Sequence, residues 1–242
     1  MQGNLRNAFC SMELLAHRLA SMNALSAVEW ELLLEPRHSS RAYSAGSEIR
    51  DPGGDGMRQS LIVSGWASRE HVSHSGRRQL LSILLPGDLI GDPAEGHALD
   101  AVEIVALSGV RTIGTAGFMS IVNGDADRYS RIASGLSALR CGDETRLLDH
   151  IVRLGSQPAP QRIASFVLEL FARCRVIGFV TGSSFPMPLT QEMLGGALGL
   201  SVVHVNRVIH RLKADRLISL QGGRVTIDDA IGLASLAELM SG

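Results

Sequence analysis

The chain has 242 residues, of which 45% are hydrophobic and 19% are charged, as in ordinary globular proteins of one or two domains. No run approaches the roughly 18 consecutive apolar residues of a membrane span, and the first twenty residues lack the apolar core and cleavage site of a signal peptide. We therefore expect a cytoplasmic protein that does not enter the membrane. The three cysteines, Cys10, Cys141 and Cys174, are too few and too far apart for a disulfide framework or a CxxC metal site.

The net charge of −1 is unevenly distributed along the chain. Residues 1–155 contain 15 arginines and no lysine against 18 acidic residues, whereas residues 201–224 contain five basic residues and one acidic residue. A local basic patch on a nearly neutral chain is typical of a surface that docks a polyanion. Charge alone does not distinguish such a surface from a solvated helix face.

The first 113 residues predict two short helices followed by strands. A helix is expected within residues 5–20, and a second one begins at Ser26, where Glu29 has the spacing of a capping box, and ends at Pro36. From residue 40 to 113, strand-length apolar runs alternate with turn clusters about every ten residues. This spacing favours an antiparallel β sandwich or barrel.

Residues 116–154 have a helical period. The apolar stripe suits packing against a partner helix, although Gly135, Gly142 and Asp143 interrupt it. A helix that lies on the β domain of its own chain is the alternative. The stripe consists of Tyr129, Ile132, Leu136, Leu139, Leu147, Ile151 and Leu154.

Residues 189–212 divide into helix, turn and helix, after a hinge at 155–160, a helix at 161–174 and a break at 181–188. Thr190 and Ser201 are predicted N-caps, and Gly199 permits the left-handed turn between the helices, with Leu200 as an apolar plug. The second helix is expected to bury one set of side chains and expose another. The buried set is Val205, Val208, Ile209 and Leu212, and the exposed set is Val202, Val203, Asn206, Arg207, His210 and Arg211.

Two helices joined by a short glycine-containing turn are typical of a helix-turn-helix. Its second helix enters the major groove of DNA, where arginine pairs with guanine and asparagine reads adenine or holds a phosphate. The next residues, 217–227, predict a hairpin that turns at Gly222 and Gly223, in the position of a wing. An amphipathic helix followed by an unrelated hairpin is the alternative, but the wing, the basic patch and the long helix all favour DNA binding.

The chain resembles the CRP/FNR family of bacterial transcription regulators. The resemblance depends on four blocks in a specific order: LIVSGWA (61–67), GRRQLLSILLPGDLIGD (76–92), LTQEMLGGALGLSVVHVNRVIHRL (189–212) and LISLQGGRVTI (217–227). It implies an α+β fold with three parts. These are an N-terminal antiparallel β-roll or jelly-roll sensor domain (1–115), a long dimerisation helix (116–154) and a C-terminal winged helix-turn-helix (155–242).

The resemblance also implies roles for individual residues of the second helix. Ser201 is at the position that contacts phosphate, and Arg207 is at the position that reads a base. Val203 stands where members often have a glutamate, and valine accepts no hydrogen bond but can touch a thymine methyl group. Glu192 is left out because its charge repels phosphate. The predicted DNA-binding residues are Thr190, Gln191, Ser201, Val202, Val203, His204, Asn206, Arg207, His210 and Arg211.

The sensor domain departs from the cyclic-nucleotide-binding members of the family. Asp92 is at the position of the glutamate that holds the ribose, and Asp100 and Ala101 stand where an Arg-Ser pair holds the phosphate. An aspartate there repels the anion, so we expect no binding of cyclic AMP. Cys10 is the only cysteine in the first hundred residues, which excludes a cysteine-ligated iron–sulfur cluster, and no histidine is indicated as a haem ligand. No metal or cofactor is therefore expected, and the effector is unknown.

The expected function is that of a homodimeric, sequence-specific regulator on a pseudo-palindromic operator whose half-sites lie one helical turn apart, about 34 Å. The resemblance also implies RNA polymerase as a partner. A β-barrel enzyme and a ligand-sensing module that does not bind DNA are the alternatives. No P-loop, GxSxG, HExxH or dinucleotide fingerprint is present, so we expect no enzyme activity.

Overall fold

The computed structural model describes residues 12–35, 40–50, 59–72, 78–91 and 102–238. The chain divides into two compact units, one formed by residues 1–77 and 82–145 and the other by residues 78–81 and 146–242. No helix within the described residues is long and apolar enough to cross a membrane.

The first unit combines helices with two antiparallel sheets, as predicted. Its helices are α1 (Glu13–Ala20), α2 (Ala27–Leu34), α3 (Ala116–Gly124) and the start of α4 (Ser130–Ser156). Its strands are β1 (Ser40–Tyr43), β2 (Ser60–Ser64), β3 (Ala67–Val72), β4 (Arg78–Leu84), β5 (Leu89–Ile90), β6 (Glu103–Ala106) and β7 (Val110–Gly114). One sheet has the order β1-β7-β2-β5 and the other β4-β3-β6. The predicted start of the first helix and Pro36 lie outside the described residues.

Strand β2 separates the two hydrophobic cores of this unit. Leu61 belongs to a core that also contains side chains of α1, α2, α3 and α4, such as Leu15 and Phe118. Its neighbour Ile62 belongs to a second core between the sheets, with Leu84 of β4. Successive side chains of a strand point to opposite faces, so a strand that is apolar at consecutive positions is covered on both sides.

The helical region predicted for 116–154 is two helices, because the chain leaves helical geometry between α3 and α4, at residues 125–129. The predicted partner-facing stripe is wrong in its first half. Tyr129, Ile132 and Leu136 are buried in the core of their own unit, as the alternative interpretation required. Periodicity identifies an apolar helix face, but it does not show which surface covers that face.

A different face of α4 is exposed. Its residues follow one another at alternating steps of three and four, which is the spacing of a coiled-coil seam. The small residues come first and the larger apolar residues come later, with Leu148 63% exposed and Val152 58% exposed. The face, which we call the α4 seam, consists of Ser134, Ala138, Cys141, Thr145, Leu148, Val152 and Gly155.

The buried carboxylate of Glu29 joins the starts of two helices. It accepts hydrogen bonds from the Ser26 amide (2.8 Å) and hydroxyl (2.8 Å), which completes the predicted capping box of α2. It also accepts from the amides of Arg131 (3.0 Å) and Ile132 (3.2 Å) in the first turn of α4. Burial works to raise the pKa of Glu29, but these hydrogen bonds outweigh it and lower the pKa below the usual value.

We expect Glu29→Gln to lower the free energy of unfolding by about 2–3 kcal/mol at neutral pH, since an amide cannot accept all four bonds. The pKa of the carboxyl is lowered in the folded state, so its stabilisation is present above the unfolded value of 4.5 and is lost as the pH falls below it. Urea unfolding at pH 7 and pH 4 measures both effects. Glu31→Gln, on the exposed side of α2, is the control, and an equal loss in both variants would contradict the role of Glu29.

The second unit contains the rest of α4 and the predicted helix-turn-helix. Its further elements are α5 (Ala159–Val176), β8 (Ser184–Pro186), α6 (Gln191–Leu198), α7 (Val202–Ala214), β9 (Ile218–Gln221), β10 (Arg224–Ile227) and α8 (Ala230–Leu236). The wing is a three-stranded sheet of order β8-β10-β9, not the two-stranded hairpin predicted. Strand β8 lies in the predicted break at 181–188, and a run of three residues is too short to show a strand pattern.

Buried polar contacts attach the end of α4 to α5. The guanidinium of Arg153 donates to Glu169 (2.8 Å) and to the Ser165 hydroxyl (3.1 Å). It also lies 3.2 Å from Nδ1 of His150. Burial, and next the positive charge of Arg153, lower the pKa of His150, so this histidine is neutral at physiological pH. The last turns of α4 are therefore part of the same rigid unit as α5.

Candidate nucleic-acid interface

The two helices of the candidate interface begin with the predicted caps. The Thr190 hydroxyl accepts a hydrogen bond from the amide of Met193 (3.1 Å), and the Ser201 hydroxyl accepts one from the amide of His204 (3.2 Å). Gly199 ends α6 with a left-handed φ of 64°. Each N-cap satisfies an amide that the first turn of a helix leaves without a partner. The starts of α6 and α7 and the end of α6 are therefore determined by residues close to them in the sequence.

The turn between α6 and α7 depends on Gly195, which was not identified from sequence. The amide of Leu200 donates to the Gly195 carbonyl at 2.9 Å, which brings the two backbone segments together. A Cβ atom at Gly195 would lie 2.5 Å from the carbonyl oxygen of Leu200, whereas one at Gly196 would meet nothing within 4 Å. The sequence signal that could have indicated this close contact is the pair of adjacent glycines, Gly195 and Gly196, within the first predicted helix.

Helix α7 buries the predicted side chains and exposes the predicted face, apart from Asn206, which is partly buried. Val205, Val208, Ile209 and Leu212 are buried. Val203 is 69% exposed and Val202 46% exposed. The other exposed predicted residues on this face are Ser201, His204, Arg207, His210 and Arg211.

Asn206 and Gln191 bind each other across the two helices. The Asn206 amide nitrogen donates to the Gln191 side-chain oxygen at 3.0 Å, and both residues are partly buried. This bond connects the start of α6 to α7. The side-chain amide nitrogen of Asn206 is therefore engaged within the helix-turn-helix.

Arg162 of α5 is a supporting residue that sequence reasoning missed. Its guanidinium donates to the carbonyl of Leu198 (3.0 Å) at the end of α6 and to the carbonyl of Gln157 (2.6 Å). The last carbonyls of a helix lack partners within the helix, so a guanidinium there stabilises its end. Arg162 thereby connects the hinge before α5 to the turn of the candidate interface.

The charges on α7 are accessible. Among the described residues Arg207 has no ion-pair or hydrogen-bond partner, and its side chain is exposed. Arg211 lies 3.6 Å from Asp215, but both side chains are more than half exposed, so that pair contributes little. The N-terminus of α7 adds the positive end of the helix dipole and free amides, which favour a phosphate oxygen near Ser201.

The wing turn has the expected glycines. Gly222 and Gly223 have φ values of 57° and 71°, the left-handed pair that a tight two-residue hairpin requires. Arg224, which contributes to the local positive charge, is engaged in the sheet. It donates to the Ser184 hydroxyl (3.1 Å) and carbonyl (3.0 Å) on β8. The exposed positive charge of this region is therefore concentrated on and just after α7.

The part of the chain that the structure describes contains no group of three or more His, Cys, Asp or Glu side chains placed to hold a metal ion. The residues on which the expectations about cyclic AMP and an iron–sulfur cluster depend, Cys10, Asp92, Asp100 and Ala101, lie outside the described residues.

Sequence comparisons also identify a helix-turn-helix domain in this part of the chain. Residues 161–236 match the model of the Crp-like helix-turn-helix domain. The chain is 26% identical over 199 residues to the anaerobic regulatory protein of Haemophilus influenzae, covering 78% of this chain and 73% of that protein. It is 29% identical over 196 residues to the transcriptional activator protein Anr of Pseudomonas protegens, covering 76% and 75%.

Structural comparisons show the same fold. FixK2 from Bradyrhizobium japonicum superposes with a TM-score of 0.67 at 22% identity, covering 82% of this chain and 96% of that chain. The c-di-GMP-responsive regulator CLP of Xanthomonas campestris has a TM-score of 0.58 at 19% identity, covering 85% and 100%. These solved proteins therefore share the fold of this chain.

Proposed function

We propose that this chain, whose residues 161–236 match the Crp-like helix-turn-helix domain, is a regulator of the CRP/FNR type. In this proposal it regulates transcription as a homodimer that inserts α7 into the major groove of a pseudo-palindromic operator. The observation that carries this proposal is the exposed face of α7, which combines apolar side chains, cationic side chains and groups that suit a phosphate. The opposite side of the helix is apolar and buried in its own unit. The two exposed valines at the N-terminus of α7 gain nothing from solvent, but they can contact the apolar edge of a base.

Each part of the face suits a different part of DNA. Ser201 and the free amides at the start of α7 bind a phosphate and set the register of the helix. Arg207, about one and a half turns further, makes two hydrogen bonds to a guanine. Val203 contacts a thymine methyl group, since it presents only methyl groups to the base edge.

The α4 seam supports a homodimer. Two copies of α4 in parallel would bury Leu148 and Val152 against their equivalents, and the small residues before them allow close approach of the backbones. Because equivalent residues meet across a two-fold axis, the two copies of α7 would be related by the same axis. That symmetry matches an operator with two half-sites, about 34 Å apart.

Cys141 provides a test of this dimer, because it is exposed and lies on the α4 seam. We expect a short bis-maleimide reagent to link two chains covalently through Cys141, and Cys141→Ser to remove the linked species on denaturing gels. Leu148→Glu should convert the dimer to monomer in sedimentation experiments, because it places like charges on the axis. A Leu148→Glu protein that remains fully dimeric would show that the interface is elsewhere.

DNA binding is tested with wild-type protein, a library of genomic fragments and a mobility-shift assay. We expect a small set of fragments to be retained in the presence of excess non-specific DNA, with footprints that show two protected half-sites. The affinity should fall steeply with salt, since phosphate contacts release counterions. Retention of all fragments alike, or of none, would contradict sequence-specific regulation.

Cyclic AMP is not the effector in this proposal. The support is in the sequence, where Asp100 and Ala101 stand at the positions of the phosphate-binding pair. We expect calorimetric titration with cyclic AMP to show no binding at micromolar concentrations. Saturable micromolar binding would overturn this prediction without affecting the assignment of α7.

The remaining features of the proposal follow from the class of protein. The relatives are named as regulators and not as enzymes, and we propose no catalytic activity. We also propose that the protein acts in the cytoplasm and that the DNA-bound dimer contacts RNA polymerase.

A further inference from the structure

The first unit contains a small cavity of about 60 Å³, partly open to solvent, between the sheet and α4. Its wall is unusual because it combines three arginines and two aspartates with a glutamine and leucines. Charged groups are rarely buried unless each one is paired. The hydrogen-bond and ion-pair partners of each polar group in the wall therefore indicate what kind of ligand the cavity can bind.

Gln59 has an unsatisfied buried acceptor in this wall. The residue is only 7% exposed, and its side-chain oxygen Oε1 has no hydrogen-bond partner within the described part of the chain. Its backbone carbonyl is held by the amide (2.9 Å) and the hydroxyl (2.8 Å) of Thr115, so the residue is fixed in place. A buried acceptor without a partner is costly, and a ligand with a hydroxyl group would satisfy it.

Arg69 is buried beside the same cavity, and its hydrogen bonds are long. Its guanidinium nitrogens are 3.4 Å from Asp143 Oδ2, 3.4 Å from the Leu89 carbonyl and 3.5 Å from the Ser82 hydroxyl. Bonds from a guanidinium to oxygen are ordinarily 2.7–3.2 Å. Arg69 therefore retains donor capacity that an anionic oxygen in the cavity would use.

Arg140 of α4 gives the cavity a net positive charge. Arg18 is paired with the buried Asp88, and Arg69 lies next to Asp143. Arg140 lines the cavity from the exposed side, and among the described residues it has neither an ion-pair nor a hydrogen-bond partner. The wall therefore has one positive charge in excess, which favours a monovalent anion.

The size of the cavity restricts the anion further. A water molecule needs roughly 10–15 Å³ of such space, so the cavity of about 60 Å³, which is partly open to solvent, holds about four to six non-hydrogen atoms within its walls. A cyclic nucleotide is several times larger. None of the lining residues is one to which the family resemblance assigns a nucleotide contact.

We propose that this cavity binds a small monovalent oxyanion that carries a hydroxyl group, such as hydrogencarbonate, dihydrogenphosphate or a two-carbon hydroxy acid. The hydroxyl donates to Oε1 of Gln59, and the anionic oxygens accept from Arg69 and Arg140. The ligand contacts both the sheet and α4, so it joins the sensor domain to the helix whose seam forms the proposed dimer.

Calorimetry on the full-length protein tests the site without reference to DNA. The probes are sodium hydrogencarbonate, sodium phosphate and glycolate, with acetate and nitrate as anions of similar size that lack a hydroxyl donor. We expect the hydroxylated anions to bind at least about tenfold more tightly, because acetate and nitrate leave Gln59 unsatisfied. The affinities of the three hydroxylated probes, compared with one another, show which of these anions the site prefers. Equal affinity for all five anions, or no binding of any of them at about 10 mM, which corresponds to less than about 3 kcal/mol of binding free energy, would overturn the proposal.

Two variants assign the contacts. Gln59→Met retains the volume but removes the acceptor, so it should abolish the preference for hydroxylated anions while leaving acetate affinity unchanged. Arg140→Gln should weaken the binding of every anion by about tenfold or more, as expected for the loss of one hydrogen bond to a charged group. Arg128→Gln, an exposed arginine outside the cavity, is the control for net charge. If Arg140→Gln and Gln59→Met, both verified as folded by thermal unfolding, bind as the wild type does, the cavity is not the site.

Discussion

Replacing Arg207 by alanine should lower the affinity for a specific operator by roughly 10- to 100-fold, while the affinity for non-specific DNA falls much less. A bidentate arginine–guanine contact contributes about 1–3 kcal/mol of discrimination. Arg207 is exposed and has no partner among the described residues, so its loss leaves the fold intact. The measurement is a set of equilibrium binding curves for the operator and for a random duplex, at one salt concentration.

Arg175→Ala is the matched control, because Arg175 is an exposed arginine at the end of α5, outside the proposed face. It removes the same charge and should change operator affinity less than twofold, a small free-energy difference. An operator in which the contacted guanine is replaced should bind wild type and Arg207→Ala equally. If Arg207→Ala keeps full specificity for the original operator, α7 is not the recognition helix in the register proposed.

Gly195→Ala should destabilise the second unit by about 2–3 kcal/mol and reduce DNA binding with it, as expected for overpacking at a backbone contact. The added methyl group would lie 2.5 Å from the Leu200 carbonyl, which is itself fixed by the turn between α6 and α7. The turn must open to accept it, and that movement separates the two helices of the interface.

Gly196→Ala is the control next to it. A Cβ atom at Gly196 meets nothing within 4 Å, and alanine is favoured over glycine in a helix by about 1 kcal/mol. This variant should therefore be as stable as the wild type or more so. Thermal unfolding followed by circular dichroism measures both proteins. Equal stability of the two variants would show that the turn adapts, and that the close approach of residues 195 and 200 is not required.

Much of the candidate interface could be predicted because its signals are local. A threonine or serine before a helix caps it whatever surrounds it, and Gly199 and Gly222 adopt conformations that few other residues tolerate. The division of the valines of α7 follows from helical period alone, and Val205 and Val208 are buried where Val202 and Val203 are not. These features need no knowledge of the rest of the chain.

Other features depend on which surfaces meet, and periodicity does not show that. The predicted stripe on α4 was partly wrong because Ile132 and Leu136 have the spacing of a partner-facing helix and yet pack on their own unit. Cys141 and Thr145 lie on the exposed seam, although their residue types do not mark them as interface residues. The charge of Arg224 is likewise visible in the sequence, but its bonds to Ser184 depend on how β8 pairs with β10.

The order of elements, the helix caps and the face of α7 that meets solvent all follow from interactions between residues a few positions apart, so the amino-acid sequence is sufficient to establish them. The tertiary structure alone shows that Glu29 caps a helix about a hundred residues away and that Gln59, Arg69 and Arg140 surround one cavity. Burial and hydrogen-bond satisfaction in these cases arise between segments distant in the chain, and no short-range pattern records which distant groups come together.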